Sequence, residues 1–115
     1  MDKLPLLIVE DDASLREALQ DTLELAGYAV LTAANGLEAL HTLTNHPCGL
    51  VLSDVQMQPM NGLELLRELR AQWPQLPVVL MTAYGMIEKA VEAMRLGACN
   101  YLTKPFEPET LLTEV

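Results

Sequence analysis

Carboxylates follow the first and third apolar segments of this chain, and they have the clearest capacity for chemistry. Glu10, Asp11 and Asp12 come directly after the first segment, and Asp54 comes directly after the third. Two unit charges 4 Å apart repel by about 4 kcal/mol at an effective dielectric constant near 20. Clustered carboxylates therefore take up protons or hold a cation. Oxygen ligands with positions left for water favour Mg²⁺ or Mn²⁺.

Asp54, Thr82 and Lys104 add the groups that phosphoryl transfer needs. With a metal ion in place, the Asp54 carboxylate can act as a nucleophile toward phosphorus. Transfer mainly requires positioning and charge neutralisation, which the metal, Lys104 and the Thr82 hydroxyl would supply to separate phosphoryl oxygens. Each residue alone has an ordinary structural interpretation, and Asp12 fits a partner for a helix N-terminus. Their joint occurrence after four apolar segments favours a site.

Five short apolar runs alternate with helical stretches, and they must position these groups. The runs are continuous, which is typical of strands buried on both faces of a parallel sheet. They are Leu6–Val9, Ala29–Ala33, Leu50–Ser53, Val78–Met81 and Asn100–Thr103. The alternation predicts an α/β fold, a (βα)₅ flavodoxin-like doubly wound parallel sheet of order 2-1-3-4-5. In that order the switch point lies between strands one and three, the two that end in carboxylates.

Helix boundaries are marked by capping signals and glycines. Three residue pairs have capping-box spacing: Ser14 with Glu17, Asn35 with Glu38, and Asn61 with Glu64. Gly27 and Gly97 are expected to follow the ends of the first and fourth helices. Pro108 suits the first turn of a fifth helix.

Length and charge exclude several classes of function. The chain has 115 residues and a net charge of −9, which suits one domain and disfavours binding to nucleic acid or to an anionic membrane surface. The first apolar run is too short for a signal peptide or a membrane span, so a cytoplasmic location is expected. Cys48 and Cys99 are expected near the starts of two strands with one strand between them, too far apart for a disulfide. The last predicted helix would be only about two turns long, which is marginal, so we expect residues 1–115 to be an N-terminal fragment of a longer protein.

The motifs at these positions resemble those of response-regulator receiver domains from two-component signalling systems. The resemblance covers essentially the whole chain, and the run from Ala83-Tyr84-Gly85 through Lys104-Pro105-Phe106 is most similar to the nitrogen-regulatory, sigma-54 activator subfamily. It is carried by Leu7-Ile8-Val9-Glu10-Asp11-Asp12, Leu52-Ser53-Asp54-Val55-Gln56-Met57, Met60-Asn61-Gly62, Met81-Thr82-Ala83 and Tyr101-Leu102-Thr103-Lys104-Pro105-Phe106.

The resemblance implies a phosphoacceptor and a metal site. Asp54 would receive a phosphoryl group from a sensor histidine kinase. Asp11 and Asp54 would bind Mg²⁺ by carboxylate, Gln56 by its backbone carbonyl, and Glu10 mostly through water. Asp12 lies one place beyond the acidic pair of the family and is a further candidate ligand.

The resemblance also implies a conformational switch. Thr82 and Tyr101 would be the switch residues, with the hydroxyl moving to the phosphoryl group and the ring turning inward. Lys104 would contact the phosphoryl group, and its bond to Pro105 would be cis, a minority form of X–Pro bonds. The small Ala83 would leave room for the donor. The implied partners are C-terminal output domains, which in this subfamily are a sigma-54 activator ATPase and a DNA-binding domain, and a second copy in a homodimer.

Three features are particular to this chain. Gln58 stands where the family usually has proline, which puts the resting conformation of that loop in question. Tyr84 could shield the acyl phosphate from water, or simply pack over the loop. The helix expected from Met86 to Leu96 has more apolar positions than one buried stripe needs. We interpret them as a partner surface, with a wide core-facing side as the alternative.

Other functions remain open from the sequence. A degenerate receiver that serves only for docking is one alternative. An aspartate-nucleophile phosphatase of the dehalogenase type is a second, but it wants a second Asp where this chain has Gln56. A flavodoxin needs a phosphate-binding loop after strand one, where Glu10, Asp11 and Asp12 would repel phosphate.

Overall fold

Parallel strands alternate with helices along the whole described part of the chain. The computed structural model describes residues 4–55, 57, 60–83, 87–98 and 100–104, with some residues of the last two strands and the last helix described by backbone alone. The elements are β1 Leu6–Val9, α1 Ala13–Leu25, β2 Val30–Ala33, α2 Gly36–Asn45, β3 Leu50–Asp54, α3 Gly62–Gln72, β4 Val78–Ala83, α4 Ile87–Arg95 and β5 Asn100–Lys104.

The five strands form one parallel sheet in the order β2-β1-β3-β4-β5, which confirms the predicted fold. In β1, Val9 pairs with Ala33 of β2 on one side and with Ser53 of β3 on the other. The chain therefore moves outward from the β1–β3 boundary in both directions. The carboxyl ends of these two central strands form the switch point of the sheet.

The apolar runs bury side chains on both faces of the sheet because neighbouring strand residues point in opposite directions. Leu7 and Val9 belong to a core shared with α2 and α3, while Ile8 belongs to a second core shared with α1. This two-faced burial explains why the runs are continuous. The edge strand β2 is mostly half-buried, since Ala33 is its only fully buried residue.

Three strands run one or two residues longer than predicted. Asp54 and Lys104 were expected directly after their strands, but each is the last residue of its strand, and Thr82 lies inside β4. These predicted boundaries were wrong because parallel pairing continues: Asp54 pairs with Met81 and Ala83 pairs with Lys104. Pairing with the neighbouring strands therefore continues beyond the last apolar residue of each run.

The helix caps agree with the sequence signals in two cases of three. Asn61 and Glu64 form a complete capping box at α3, and Asn35 caps α2 by accepting the Glu38 N–H. The capping box predicted at Ser14 is wrong, because Asp12 caps α1. Gly27 has φ 98° and Gly97 has φ 103°, which is the left-handed conformation expected just past a helix end.

Helix α4 carries exposed apolar side chains, as its composition predicts. Ala93 is fully buried, whereas Val91 is 48% exposed and Met94 is 43% exposed. The helix therefore presents apolar surface to solvent as well as to the core. The positions predicted at Met86, in the fifth helix and at Cys99 lie outside the described residues. Cys48 is a free thiol just before β3.

Candidate functional site: an acidic centre at the sheet switch point

Strand register brings the acids that follow β1 close to the acid at the end of β3. Glu10 follows Val9, Asp54 follows Ser53, and Val9 and Ser53 are paired across neighbouring strands. Glu10 and Asp54 therefore stand side by side at the carboxyl edge of the sheet. The residue after Glu10 is Asp11, at the start of the turn into α1.

Carboxylate oxygens of Glu10, Asp11 and Asp54 lie within 4.8 Å of one another. Glu10 is 1% exposed and Asp54 is 6% exposed, whereas Asp11 is open to solvent. The acidic centre thus has two buried carboxylates and one at its mouth. A single metal ion placed there would remain reachable from solvent on the side of Asp11.

The donor set fits a hard divalent cation. Mg²⁺ binds oxygen at about 2.1 Å, so two direct ligands of one ion are at most about 4.2 Å apart. The oxygens of the acidic centre, within 4.8 Å, need only a small inward shift, or a water bridging one of them. Bringing three carboxylates together in a largely buried place is electrostatically unfavourable, and a bound cation offsets that repulsion.

Asp12 has a different role from the other three acids. Its carboxylate accepts hydrogen bonds from the backbone N–H groups of Ser14 at 3.0 Å and Leu15 at 3.2 Å. It is therefore the N-cap of α1, and it is not among the carboxylates that converge. The interpretation of Asp12 as a partner for the helix N-terminus is confirmed.

The backbones of Thr82 and Lys104 reach the same edge of the sheet. Thr82 directly follows Met81, the partner of Asp54, and Lys104 pairs with Ala83 one residue further on. Tyr101 lies lower in β5, where it pairs with Leu80. The side chains of Thr82, Tyr101 and Lys104 lie outside the described part of the structure. So do the whole residues Gln56, Gln58, Tyr84 and Pro105.

Gly62 belongs to the Met60-Asn61-Gly62 motif, but the sequence reasoning assigned it no role at the site. A Cβ added to it would collide with the carbonyl oxygen of Asp54 and would lie 2.8 Å from the Cα of Val55. Its N–H donates to the Val55 carbonyl at 2.9 Å. Only glycine allows α3 to begin this close to the end of β3. The available signal was the position of Gly62 directly after the capping residue Asn61.

The loop after β3 is anchored by methionine packing. Met57 is 3% exposed, and the side chain of Met60 lies so close to Gly36 that a Cβ there would be 2.6 Å away. The start of α2 therefore supports the loop that leaves Asp54. These contacts lie on both sides of Gln58, the position where the chain departs from the family pattern.

Arg16 was also overlooked. Its Nη1 donates to the Glu10 carbonyl at 2.7 Å, although Arg16 lies inside α1. The sequence signal was weak, because a single arginine in a first helical turn usually serves as a surface charge. The contact ties α1 to the acidic turn.

Comparison with known proteins identifies the family. The model of the response regulator receiver domain matches residues 6–115. This chain belongs to the response regulator receiver domain family. It is 52% identical over 106 residues to the response regulator protein FleR of Pseudomonas aeruginosa, covering 92% of this chain and 22% of FleR. It is 43% identical over 105 residues to the C4-dicarboxylate transport transcriptional regulatory protein DctD of Rhizobium meliloti, covering 91% of this chain and 23% of DctD.

Solved receiver structures share the fold. The NtrX receiver domain from Brucella abortus superimposes with a TM-score of 0.91 at 34% identity, covering 95% of this chain and 92% of that one. The chemotaxis regulator CheY4 of Vibrio cholerae gives a TM-score of 0.91 at 37% identity, covering 98% and 96% of the two chains. The similarity to FleR, DctD and NtrX confirms the resemblance to the sigma-54 activator subfamily.

The receiver spans about a quarter or less of FleR and DctD. Among the helices in the described ranges, none is long and apolar enough to cross a membrane. The family match and the similarity to FleR make this chain a receiver domain of the two-component response-regulator type.

Proposed function

We propose that this receiver is a phosphoacceptor switch that takes a phosphoryl group from a sensor histidine kinase onto Asp54. The observation that carries the proposal is the convergence of Glu10, Asp11 and Asp54, with oxygens within 4.8 Å, at the switch point of the sheet. Mg²⁺, or Mn²⁺, is the proposed cofactor. Its ligands are these carboxylates and the backbone carbonyl of Gln56.

The buried position of Asp54 supports its role as nucleophile. A carboxylate oxygen of Asp54 forms a bond to phosphorus while the bond between phosphorus and the kinase histidine nitrogen breaks. The electron pair of the broken bond stays on that nitrogen, and the ring leaves as neutral imidazole because its other nitrogen carries a proton in the phosphohistidine. A divalent metal supplies charge neutralisation for the phosphoryl oxygens when it is bound.

Thr82 and Lys104 are proposed to bind the transferred group. Thr82 directly follows Met81, the partner of Asp54, and Lys104 lies two residues beyond Leu102, the partner of Met81, so both belong to the same edge. Lys104 provides a cation for one phosphoryl oxygen, and the Thr82 hydroxyl donates a hydrogen bond to another. Thr82 and Tyr101 then act as the switch pair, with Tyr101 turning inward as Thr82 moves.

The exposed apolar surface of α4 supports a role in output. Val91 and Met94 are both exposed on this helix, and methionine suits a surface that repacks. We propose that phosphorylation moves α4 and changes its contacts with a C-terminal output domain or a second copy. The output domains are proposed to be a sigma-54 activator ATPase and a DNA-binding domain that act on transcription in the cytoplasm.

Incubation with acetyl phosphate and Mg²⁺, followed by intact mass measurement, tests the site. The wild type should gain one phosphoryl group, and Asp54→Asn should gain none. Asp21→Asn is the matched control, because Asp21 is an exposed acid of α1 away from the centre. It should behave as the wild type does, and a chelator should abolish the reaction in both.

The same experiment separates the alternatives. A phosphoryl group that persists on Asp54→Asn would contradict the assignment of the acceptor. A wild type that gains no phosphoryl group but still binds a partner would favour a docking-only receiver. As a regulatory domain, the receiver is proposed to release its phosphoryl group only slowly, so fast and sustained release of phosphate from many equivalents of donor would favour a phosphatase.

A further inference from the structure

The backbone of Glu10 is held on both sides. Its N–H donates to the Ala33 carbonyl at the end of β2 at 3.1 Å, and its C=O accepts from Arg16 Nη1 at 2.7 Å. Its carboxylate also accepts the Asp12 N–H at 3.3 Å. The turn that carries Glu10 and Asp11 is therefore anchored to both β2 and α1.

Arg16 reaches this turn because of how α1 begins. Asp12 caps the helix, and the Arg16 N–H donates to the Asp12 carbonyl at 2.9 Å, which closes the first turn. Helical side chains lean toward the N-terminus, so the guanidinium of Arg16 folds back over that turn. It is half-buried there. A cation in a first helical turn opposes the helix dipole, so its position requires a compensating contact. The short, charge-assisted bond to Glu10 supplies that contact.

We infer that Arg16 is a positioning residue for the metal-binding turn. By holding the Glu10 carbonyl, it fixes the backbone from which the carboxylates of Glu10 and Asp11 project. This inference rests on the proposed metal site. The direction of the change in Mg²⁺ affinity distinguishes positioning by Arg16 from a simple effect of its charge. A cation near the site repels a divalent metal, so removing its charge alone would strengthen metal binding. Weaker binding after removal is opposite to the charge effect and is the result expected from lost positioning.

Calorimetric titration of the whole chain with Mg²⁺ tests the inference. Arg16→Met should weaken Mg²⁺ binding by about tenfold, the effect typical of groups that orient metal ligands. Arg16→Lys keeps a charged donor and should restore part of the affinity. Arg67→Met is the matched control, because Arg67 is an exposed cation of α3 that pairs with Glu92 at 3.5 Å. It should bind Mg²⁺ as the wild type does.

A second measurement follows the turn without metal. Amide hydrogen exchange at Asp11 and Asp12 should be faster in Arg16→Met than in the wild type, and unchanged in Arg67→Met. Equal or tighter Mg²⁺ binding by Arg16→Met would overturn the inference. If that variant does not fold, Mg²⁺ affinity in Arg16→Ala equal to the wild type would do so, because alanine removes the donor while it favours the helix. Failure of the wild type to bind Mg²⁺ would instead contradict the proposed function, and the exchange rates would still test the Arg16 contact.

Discussion

The two edges of the sheet differ in their chemistry. At the carboxyl edge, the carboxylates of Glu10, Asp11 and Asp54 converge. At the amino edge, before β3 and β4, there is an open cleft of about 460 Å³. Apolar side chains dominate its lining, which includes Leu4, Cys48, Trp73, Leu76 and Pro77.

Burial therefore has opposite consequences at the two edges. At the amino edge it raises the pKa of the Cys48 thiol, because removal from water disfavours the thiolate. The neutral thiol is therefore the form of Cys48 that this apolar edge stabilises. At the carboxyl edge, burial instead keeps three carboxylates close to one another. One edge gathers apolar groups, and the other gathers groups that ionise.

The largest expected effect distinguishes two glycines, one near each edge. Gly62→Ala should destabilise the domain by about 2–3 kcal/mol, because the new methyl group overlaps the backbone at Asp54 and Val55. Gly49→Ala should change stability by less than about 0.5 kcal/mol, since its Cβ would make an ordinary 3.4 Å contact with Leu4. Urea unfolding of both variants measures the difference.

Gly62→Ala should also impair phosphorylation from acetyl phosphate even where it remains folded, because the end of β3 must shift. A folded Gly62→Ala variant of wild-type stability would show that α3 can move away from Asp54 without cost. Steric overlap at Gly62 would then not explain a difference between the two edges.

A smaller effect is expected from removing one charge at the carboxyl edge. Without Mg²⁺, Asp54→Asn should unfold at a higher temperature than the wild type, since one carboxylate repulsion is gone. Mg²⁺ at ten times its Kd should stabilise the wild type by about 1.4 kcal/mol and should stabilise Asp54→Asn much less. Thermal unfolding with and without Mg²⁺ measures both. Equal stabilisation by Mg²⁺ in the two proteins would mean that the ion binds elsewhere.

The smallest effect concerns the pH dependence of the amino edge. Because the pKa of Cys48 is raised in the folded state, its contribution to stability is complete below pH 9.0, the ordinary thiol value. It is lost as the pH rises from there through the higher folded pKa, since the unfolded state then releases a proton first. The unfolding free energy of the wild type should therefore fall more steeply on the alkaline side than that of Cys48→Ala. If the unfolding free energies of the two proteins fell equally with pH, the Cys48 thiol would be effectively in water.

Sequence reasoning succeeded where the signal was local. Asn61 and Glu64 form the predicted capping box because its partners lie three residues apart on one turn. The same spacing at Ser14 misled, since Asp12 stands two residues earlier and caps the helix first. The strand ends at Asp54 and Lys104 were missed because strand length depends on pairing with distant segments.

The sequence by itself determined the alternating strands and helices, the parallel sheet order and the acids that meet at its switch point. These follow from periodicity, from capping residues and from the rule that parallel strands end at one edge. Only the tertiary structure decided that Asp12 caps a helix while Asp11 joins the site, that Arg16 holds the Glu10 carbonyl, and that Gly62 must lack a side chain. Each of these depends on which backbone atoms approach within a few ångströms, and the packing of separate elements sets those distances.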